Sequence, residues 1–559
     1  MRASGPTCDG HEAGASLTAS ALYRWFDETV LDLGRQFRFS YLPPLMVYLA
    51  YGVSGLTSVV GAFFIKDYLG LSAAFLAGLA FWAGIPWALK MPLGHLVDLI
   101  WRWKALLVFL GAALIASSLA IMYGLIAHTD AMRAVMRVDA WYVLSVLLSP
   151  TGFALQDVVA DAMTVEAVPL ADAEGNRYSD AQIKRMHTTM QTLGRFALIG
   201  GLVLVAAVNI TLFQGVAAMS PAETAAIYAE IYLLAMIIPA ISVVGVVLGG
   251  VSLRYRARRL RRQGFDAAAI QGMLFQPVED TKPNWWIFGG SLVFVAFTLA
   301  MGLGEAPYAQ EIIFAGSMGI VGFLMYRLIL ELDPSLRLAL VGTAVIIFVY
   351  RAMPLPGPGQ TWFEIDVLGF DQQFLSVLSL ITSLLALAGM LILRPLMASR
   401  SIAYIVGLLT VASGILSLPN IGLYYGLQDW TAPLTGGIVD ARFIAILDTA
   451  IESPLSQIAM IPMLAWIAQN APAHLKATFF AVMASFVNLA LSANNLGTKY
   501  VNEIFLVTRE VRDRDTGAVK VAADYGELGW LLITIAVIEL CVPLLVILIV
   551  QRSRLRTEQ

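Results

Sequence analysis

The stretch LLVFLGAALIASSLAIMYGLIA, residues 106–127, decides the fold class, because it contains no charged side chain and is long enough to cross hydrocarbon about 30 Å thick as one α-helix. Polar and apolar positions do not alternate along it, so it does not read as the ~10-residue strand of a membrane barrel. Comparable stretches recur from residue 41 to residue 550. The composition agrees: 58% of the 559 residues are hydrophobic, 13% are charged, and the mean hydropathy is +0.75. These values lie well outside the soluble range. The chain therefore reads as an all-α polytopic membrane protein.

Spans are expected at about 41–66, 73–92, 105–127, 140–165, 190–212 and 225–252 in the first half. The second half adds about 286–306, 311–331, 337–353, 372–394, 402–425, 439–468, 477–503 and 528–550, about fourteen in all. Lys and Arg in short loops resist translocation, and they set the orientation. With the N-terminus inside, the inner loops hold Arg24, Arg35, Arg38, Arg102, Lys104, Arg177, Lys184, Arg185, RYRARRLRRQ (254–263), Arg400, Lys476 and RSRLR (552–556). Arg133, Arg137 and the cations of the 506–527 loop are the exceptions. Both termini are expected in the cytoplasm and the protein in a bacterial inner or plasma membrane. No signal-peptide h-region is seen in the first forty residues. The two cysteines, Cys8 and Cys541, imply no disulfide framework.

The expected organisation is a cytoplasmic segment (1–40), a six-helix bundle (41–252), a basic linker (253–285), an extra helix pair (286–331), a second six-helix bundle (332–550) and a tail (551–559). Internal similarity supports two related halves: DYLGLSAAFLAGL (67–79) matches DVLGFDQQFLSVL (366–378). QDVVADA (156–162) can likewise be laid on LDTAIES (447–453), which pairs Asp157 with Asp448 and Asp161 with Glu452. Repeated six-helix halves are a hallmark of secondary transporters that alternate access around a central site.

At 100° per residue, Asp157, Asp161 and Thr164 share one stripe of the fourth span, with Gln156 beside it. An ionised Asp at mid-membrane costs ~3 kcal/mol even on the gentler insertion scale, so this stripe must meet a cavity, a cation or a proton. The competing reading is an interhelical clamp. Asp448 and Glu452 share a face of the twelfth span just before Pro454, with Pro462 beyond, and read as a binding site, a proton relay or a packing kink. Asn488, Asn494 and Asn495 in the thirteenth span read as interhelical hydrogen-bonding residues, and Glu539 carries no assigned role.

The turn KMPLGHLVDLIWRWKALL (90–107), with Lys90, Gly94, Asp98, Arg102 and Lys104, resembles the loop signature of the major facilitator superfamily. That resemblance implies an inner-gate role for Lys90, Gly94 and Asp98. Glu166 at the cytoplasmic end of its span and Arg195 on the fifth belong to the same expected gate, with Arg195 pairing to Glu166 or Asp161. FFIKDYLGLS (63–72), IPWALKMPLGHLVD (85–98), LQDVVADAMTVEA (155–167), WFEIDVLGF (362–370) and APAHLKATFFAVMASFVNLALSANNLG (471–497) resemble the folate-biopterin transporter family, a branch of that superfamily. The resemblance implies two pseudo-symmetric six-helix bundles and uptake of a folate- or pterin-like organic anion with protons. Asp157, Asp161, Asp448 and Glu452 would serve coupling or substrate. The carboxylates of such a cargo need cations, and Arg351, Arg442 and Lys499 near the outer ends of their spans are the candidates.

No GxxxxGK[ST] cradle occurs and the five His are scattered, so no cofactor, metal, nucleic-acid partner or enzymatic activity is expected, and energy should come from a gradient. The partners are a small molecule, protons and the bilayer, with the protein a monomer. Two alternatives stay open: another cargo (muropeptide, acyl-coenzyme A or drug), or a non-transporting assembly factor on the same scaffold.

Overall fold

The structure, a computed structural model, describes residues 32–556 apart from 36, 69–70, 89, 101–102, 170–177, 268–269, 271–273, 275–295, 298–299, 302–306, 331–333, 393–399, 457–475 and 513–518. In the first half the helices are α1 (Leu42–Val53), α2 (Ser58–Tyr68), α3 (Ala73–Ala88), α4 (Lys90–Leu99), α5 (Ala105–Ala127), α6 (Val138–Ala167), α7 (Asp180–Leu212), α8 (Pro221–Ala235) and α9 (Ile237–Arg262). The second half holds α10 (Ala309–Ile329), α11 (Pro334–Arg351), α12 (Pro358–Asp366), α13 (Gln372–Ile392), α14 (Ile402–Tyr424), α15 (Ala441–Ser456), α16 (Lys476–Ile504) and α17 (Leu528–Arg552). Among the described residues, 8 helices are long and apolar enough to cross a membrane, and Ala73–Trp87 and Ala309–Phe323 are shorter apolar helices. The expected spans fall on described helices, except that 286–306, for the most part, and 457–468 lie outside the described residues.

Local sequence explains several starts. Pro43 and Pro44 occupy the first turn of α1, where no intrahelical N–H bond is lost. Capping boxes formed by Ser179 with Gln182 and by Ser220 with Glu223 open α7 and α8. The basic run 254–262 is a helical extension of α9 rather than the start of a linker, because it contains no Gly or Pro; the chain turns only at Gly264, whose φ is 92°. The 506–527 connection, expected as a plain loop, carries an antiparallel ribbon of β1 (Val511–Arg512) and β2 (Val519–Val521).

Without a hydrophobic force between helices in lipid, close approach of backbones does the packing. A Cβ on Gly111 of α5 would lie 2.5 Å from the Gly152 carbonyl oxygen of α6, and one on Gly152 would lie 2.5 Å from that of Gly111. Gly52 of α1 and Gly201 of α7 meet in the same way. Each half has its own buried core, one around Phe63, Phe64, Leu119, Phe153 and Tyr228, the other around Leu340, Ile347, Val406 and Val487.

The halves meet in a crossed pattern: α3 packs on α16, and α7 packs on α13. Asn488 Nδ2 donates to the Trp87 carbonyl at 3.0 Å, and Gln372 Nε2 donates to the Tyr228 hydroxyl at 2.8 Å. The extra helix α10 lies against α16 and α3, tied by Gln310 to the Gly78 carbonyl (3.2 Å) and by Glu311 to Lys499 (3.1 Å). On α16, Asn494, Thr498 and Asn502 recur every four residues and hold the backbone of Met353, Leu355 and Pro356 ahead of α12.

Candidate functional site

The second, fourth and first spans converge on one ion cluster. Lys90, at the start of α4, lies between two carboxylates of α6, with Nζ 2.6 Å from Asp157 Oδ2 and 2.8 Å from Asp161 Oδ2. Tyr48 of α1 donates its hydroxyl to Asp161 Oδ1 at 2.6 Å. Two acids one turn apart can share one ammonium only if it sits opposite the middle of that turn, and Lys90 Nζ lies at nearly equal distances from both. The Tyr48 ring is in place because Gly194 of α7 has no side chain: a Cβ there would lie 3.0 Å from the ring. Asp161 is the open member of the pair, its side chain 45% exposed against 17% for Asp157.

An aromatic group adjoins the cluster. Phe153, Asp157 and Asp161 stand four residues apart on α6, and Tyr51 meets Phe153 edge-to-face with ring centres 5.3 Å apart and the tilted Trp87 ring at 5.6 Å. Tyr48, Tyr51, Phe153, Gln156 and Asp157 line a cavity of about 10 Å³ between α1 and α6, room for a water-sized group. The Trp87 carbonyl is the acceptor of Asn488, so this group also touches the second half.

Several expected site residues stand elsewhere. Gln156 faces away from the acids into the first bundle, where its amide donates to the Val108 carbonyl (3.2 Å) and accepts from Ser242 (2.9 Å). Thr164 is buried and its hydroxyl returns to the Asp161 carbonyl at 2.6 Å, so the polar stripe ends at Asp161. Glu166 pairs with Lys104 at 2.5 Å. Among the described residues Arg195 makes no ion pair with Glu166 or Asp161; those acids are taken by Lys104 and Lys90, and Arg195 acts on Asp157 and Tyr48 only through space.

In the second half, Asp448 is buried and accepts from Asn420 Nδ2 at 2.9 Å. Its repeat counterpart Asp157 pairs with Lys90 at 2.6 Å. Arg442 pairs with Asp371 at 3.1 Å and lies over the Phe374 ring, while Lys499 pairs with Glu311 at 3.1 Å and approaches Glu503. Arg351, at the end of α11, makes no ion pair among the described residues and is half-buried. Gly94 has open space where a Cβ would point. Asp98 and Glu452 lie in α4 and α15, but their side chains are outside the described residues, as is Pro462.

The residues sequence reasoning missed are Tyr48, Tyr51, Trp87 and Phe153. Their spacing was a usable signal: Tyr48 and Tyr51 are three residues apart, as are Trp87 and Lys90, which puts each pair on one helix face.

Two helical halves that meet in a crossed interface, beside a charged cluster, make an all-α membrane fold of the major facilitator type. The sequence profile of the BT1 family matches residues 51–558, and the chain belongs to that family. A folate-biopterin transporter of Synechocystis sp. is 24% identical over 480 residues, which cover 85% of this chain and 77% of that protein. In fold the chain is similar to a peptide transporter of the POT type solved with sulfate (TM-score 0.60, 14% identity, 93% of this chain and 97% of that one). It is also similar to a POT-family transporter solved with 5-aminolevulinic acid (TM-score 0.59, 12% identity, 93% and 96%). At such identities the likeness is one of fold alone. The family and the fold are those of transporters, not enzymes.

Proposed function

We propose that this transporter takes up a folate- or pterin-like organic anion together with protons, by alternating access of the 41–252 and 332–550 bundles about a central site. The observation that carries the reading is Lys90 held between Asp157 and Asp161 beside the Tyr51–Trp87–Phe153 aromatic group. Protonation of Asp161, the more open acid, frees part of the Lys90 charge for an incoming carboxylate, so proton and anion bind together. The cavity beside these rings holds only a water-sized group in this state, and the aromatic side chains supply apolar contact for a flat heterocycle once the bundles move apart. Arg351 offers a second cation for a distal carboxylate. The folate-biopterin transporter relative supports the substrate class. Lys104–Glu166 serves as the inner clasp in concert with Gly94, Asp98 and Arg195, and Asp448 and Glu452 are the matching polar residues of the second half. The protein works as a monomer in a plasma membrane with both termini in the cytoplasm.

The test is a ligand panel of folate, biopterin, a muropeptide and a coenzyme A ester, scored by thermal stabilisation of the purified protein and then by proteoliposome uptake under an inward proton gradient. A bound substrate raises apparent stability by about 2.7 kcal/mol at a hundred times its Kd. Stabilisation and gradient-driven uptake of a pterin compound support the reading; a hit with the muropeptide or coenzyme A ester alone overturns the substrate class.

A further inference from the structure

A second, unassigned cavity of about 210 Å³ lies at the basic end of the first bundle, between the ends of α1, α5, α6 and α9. Its wall is mostly apolar, with Pro43, Pro44, Val159, Met163 and Val246, and the side of α9 is opened by Gly249 and Gly250. At its rim is Arg256, on the basic extension of α9, close enough to Arg38 for the two like charges to repel. Neither guanidinium has a carboxylate partner among the described residues; Arg38 is held over the Tyr178 ring and donates to its hydroxyl at 3.2 Å. The acid in the cavity wall, Glu166, is already neutralised by Lys104 at 2.5 Å. A rim with excess positive charge above an apolar pocket calls for a ligand with an anionic head and a hydrocarbon tail.

The surroundings point to where such a ligand comes from. The two helices flanking the cavity expose apolar side chains outward: Leu106, Phe109 and Leu110 on α5, and Val247, Leu248 and Val251 on α9. Trp103, 67% exposed, stands at the level of the rim, where an aromatic side chain marks the boundary between headgroups and hydrocarbon. The cavity therefore lies beside the acyl chains of one leaflet, with its cations at headgroup depth.

We propose that this cavity is a binding site for an anionic phospholipid, with the phosphate between Arg38 and Arg256 and the upper part of one acyl chain against Gly249 and Gly250. The site is independent of the Lys90 cluster and of the identity of the cargo. Basic pockets between membrane helices on the cation-rich side are suited to such headgroups.

Native mass spectrometry of the full-length protein in detergent, titrated with phosphatidylglycerol, phosphatidylcholine and, as a tail-free control, glycerol 3-phosphate, tests the assignment. One phosphatidylglycerol should be retained in preference to phosphatidylcholine, with no displacement by glycerol 3-phosphate. Arg256→Gln should weaken that retention roughly five-fold, and the Arg38→Gln/Arg256→Gln pair roughly thirty-fold. Gly250→Leu, whose Cβ would meet open space and so leaves the fold intact, should weaken retention with every cation in place. Equal retention of the two lipids, full competition by glycerol 3-phosphate, or unchanged binding in Gly250→Leu would each overturn the proposal, the last showing mere adsorption to the basic run.

Discussion

Lys90 Nζ lies 2.6 Å from Asp157 and 2.8 Å from Asp161, so one cation of the second span closes the acidic face of the fourth. Two carboxylates and one ammonium in direct contact carry one negative charge in excess, which Arg195 offsets only through space and a proton on either acid would cancel. That imbalance is what a coupled carrier can use.

Lys90→Met should abolish uptake and lower stability by about 1–3 kcal/mol, since it leaves two carboxylates without their donor. The double variant Lys90→Met/Asp157→Asn should recover much of the thermal midpoint and none of the transport. Unfolding midpoints in detergent and uptake rates separate the two effects. Equal midpoints for both variants would mean that Lys90 does not bind Asp157 in the membrane.

Gly194→Val should push the Tyr48 ring from its place against α7 and take the hydroxyl from Asp161. Tyr48→Phe removes the same hydrogen bond without the displacement and costs about 0.5–1.5 kcal/mol. Both variants should shift the pH profile of uptake in the same direction. Opposite shifts would show that the hydroxyl does not act on Asp161.

Gly152→Leu should be far more damaging than a change on a lipid-facing helix surface, because even a Cβ would sit 2.5 Å from the Gly111 carbonyl. The cost is overpacking, about 1–3 kcal/mol or more, and it separates α5 from α6. A large drop in thermal midpoint is expected, and an unchanged one would contradict the helix crossing.

Arg351→Ala should raise KM for an anionic substrate with little loss of stability, since this guanidinium has no ion pair among the described residues. Arg442→Ala and Lys499→Ala should act on the fold, because they strand Asp371 and Glu311. Uptake kinetics beside unfolding midpoints read the difference. A KM effect confined to Arg442→Ala would reverse the assignment.

Cysteines replacing Gln372 and Tyr228, whose polar groups meet at 2.8 Å at the tips of long side chains across the halves, are too far apart for a disulfide but should be bridged by a short bifunctional thiol reagent, which should stop uptake. Full activity in the crosslinked protein would show that this contact does not open during transport.

Much of the fold was legible because membrane spans announce themselves by length: the helix Ala105–Ala127 reproduces its expected span. The acidic stripe was legible for the same reason, since ionised groups in such a chain are costly enough to stand out. Partner choice was not. The sequence pointed to Arg195 as the partner of Asp161, whereas Lys90 takes that place, a choice set by tertiary packing that no local spacing announces. Gln156 looked like a member of the stripe, but its amide is satisfied by Val108 and Ser242, a contact set by the Gly111–Gly152 crossing. The aromatic group escaped notice because Tyr and Trp are ordinary in membrane helices, so their meaning comes from meeting beside Asp157.

The most direct measurement is uptake into proteoliposomes of the substrate identified by the ligand panel, with and without an inward proton gradient, comparing the wild-type protein with Asp161→Asn. Loss of gradient-driven accumulation in Asp161→Asn with substrate counterflow retained is the expected result. Accumulation with normal pH dependence in that variant would show that Asp161 does not carry the coupling proton.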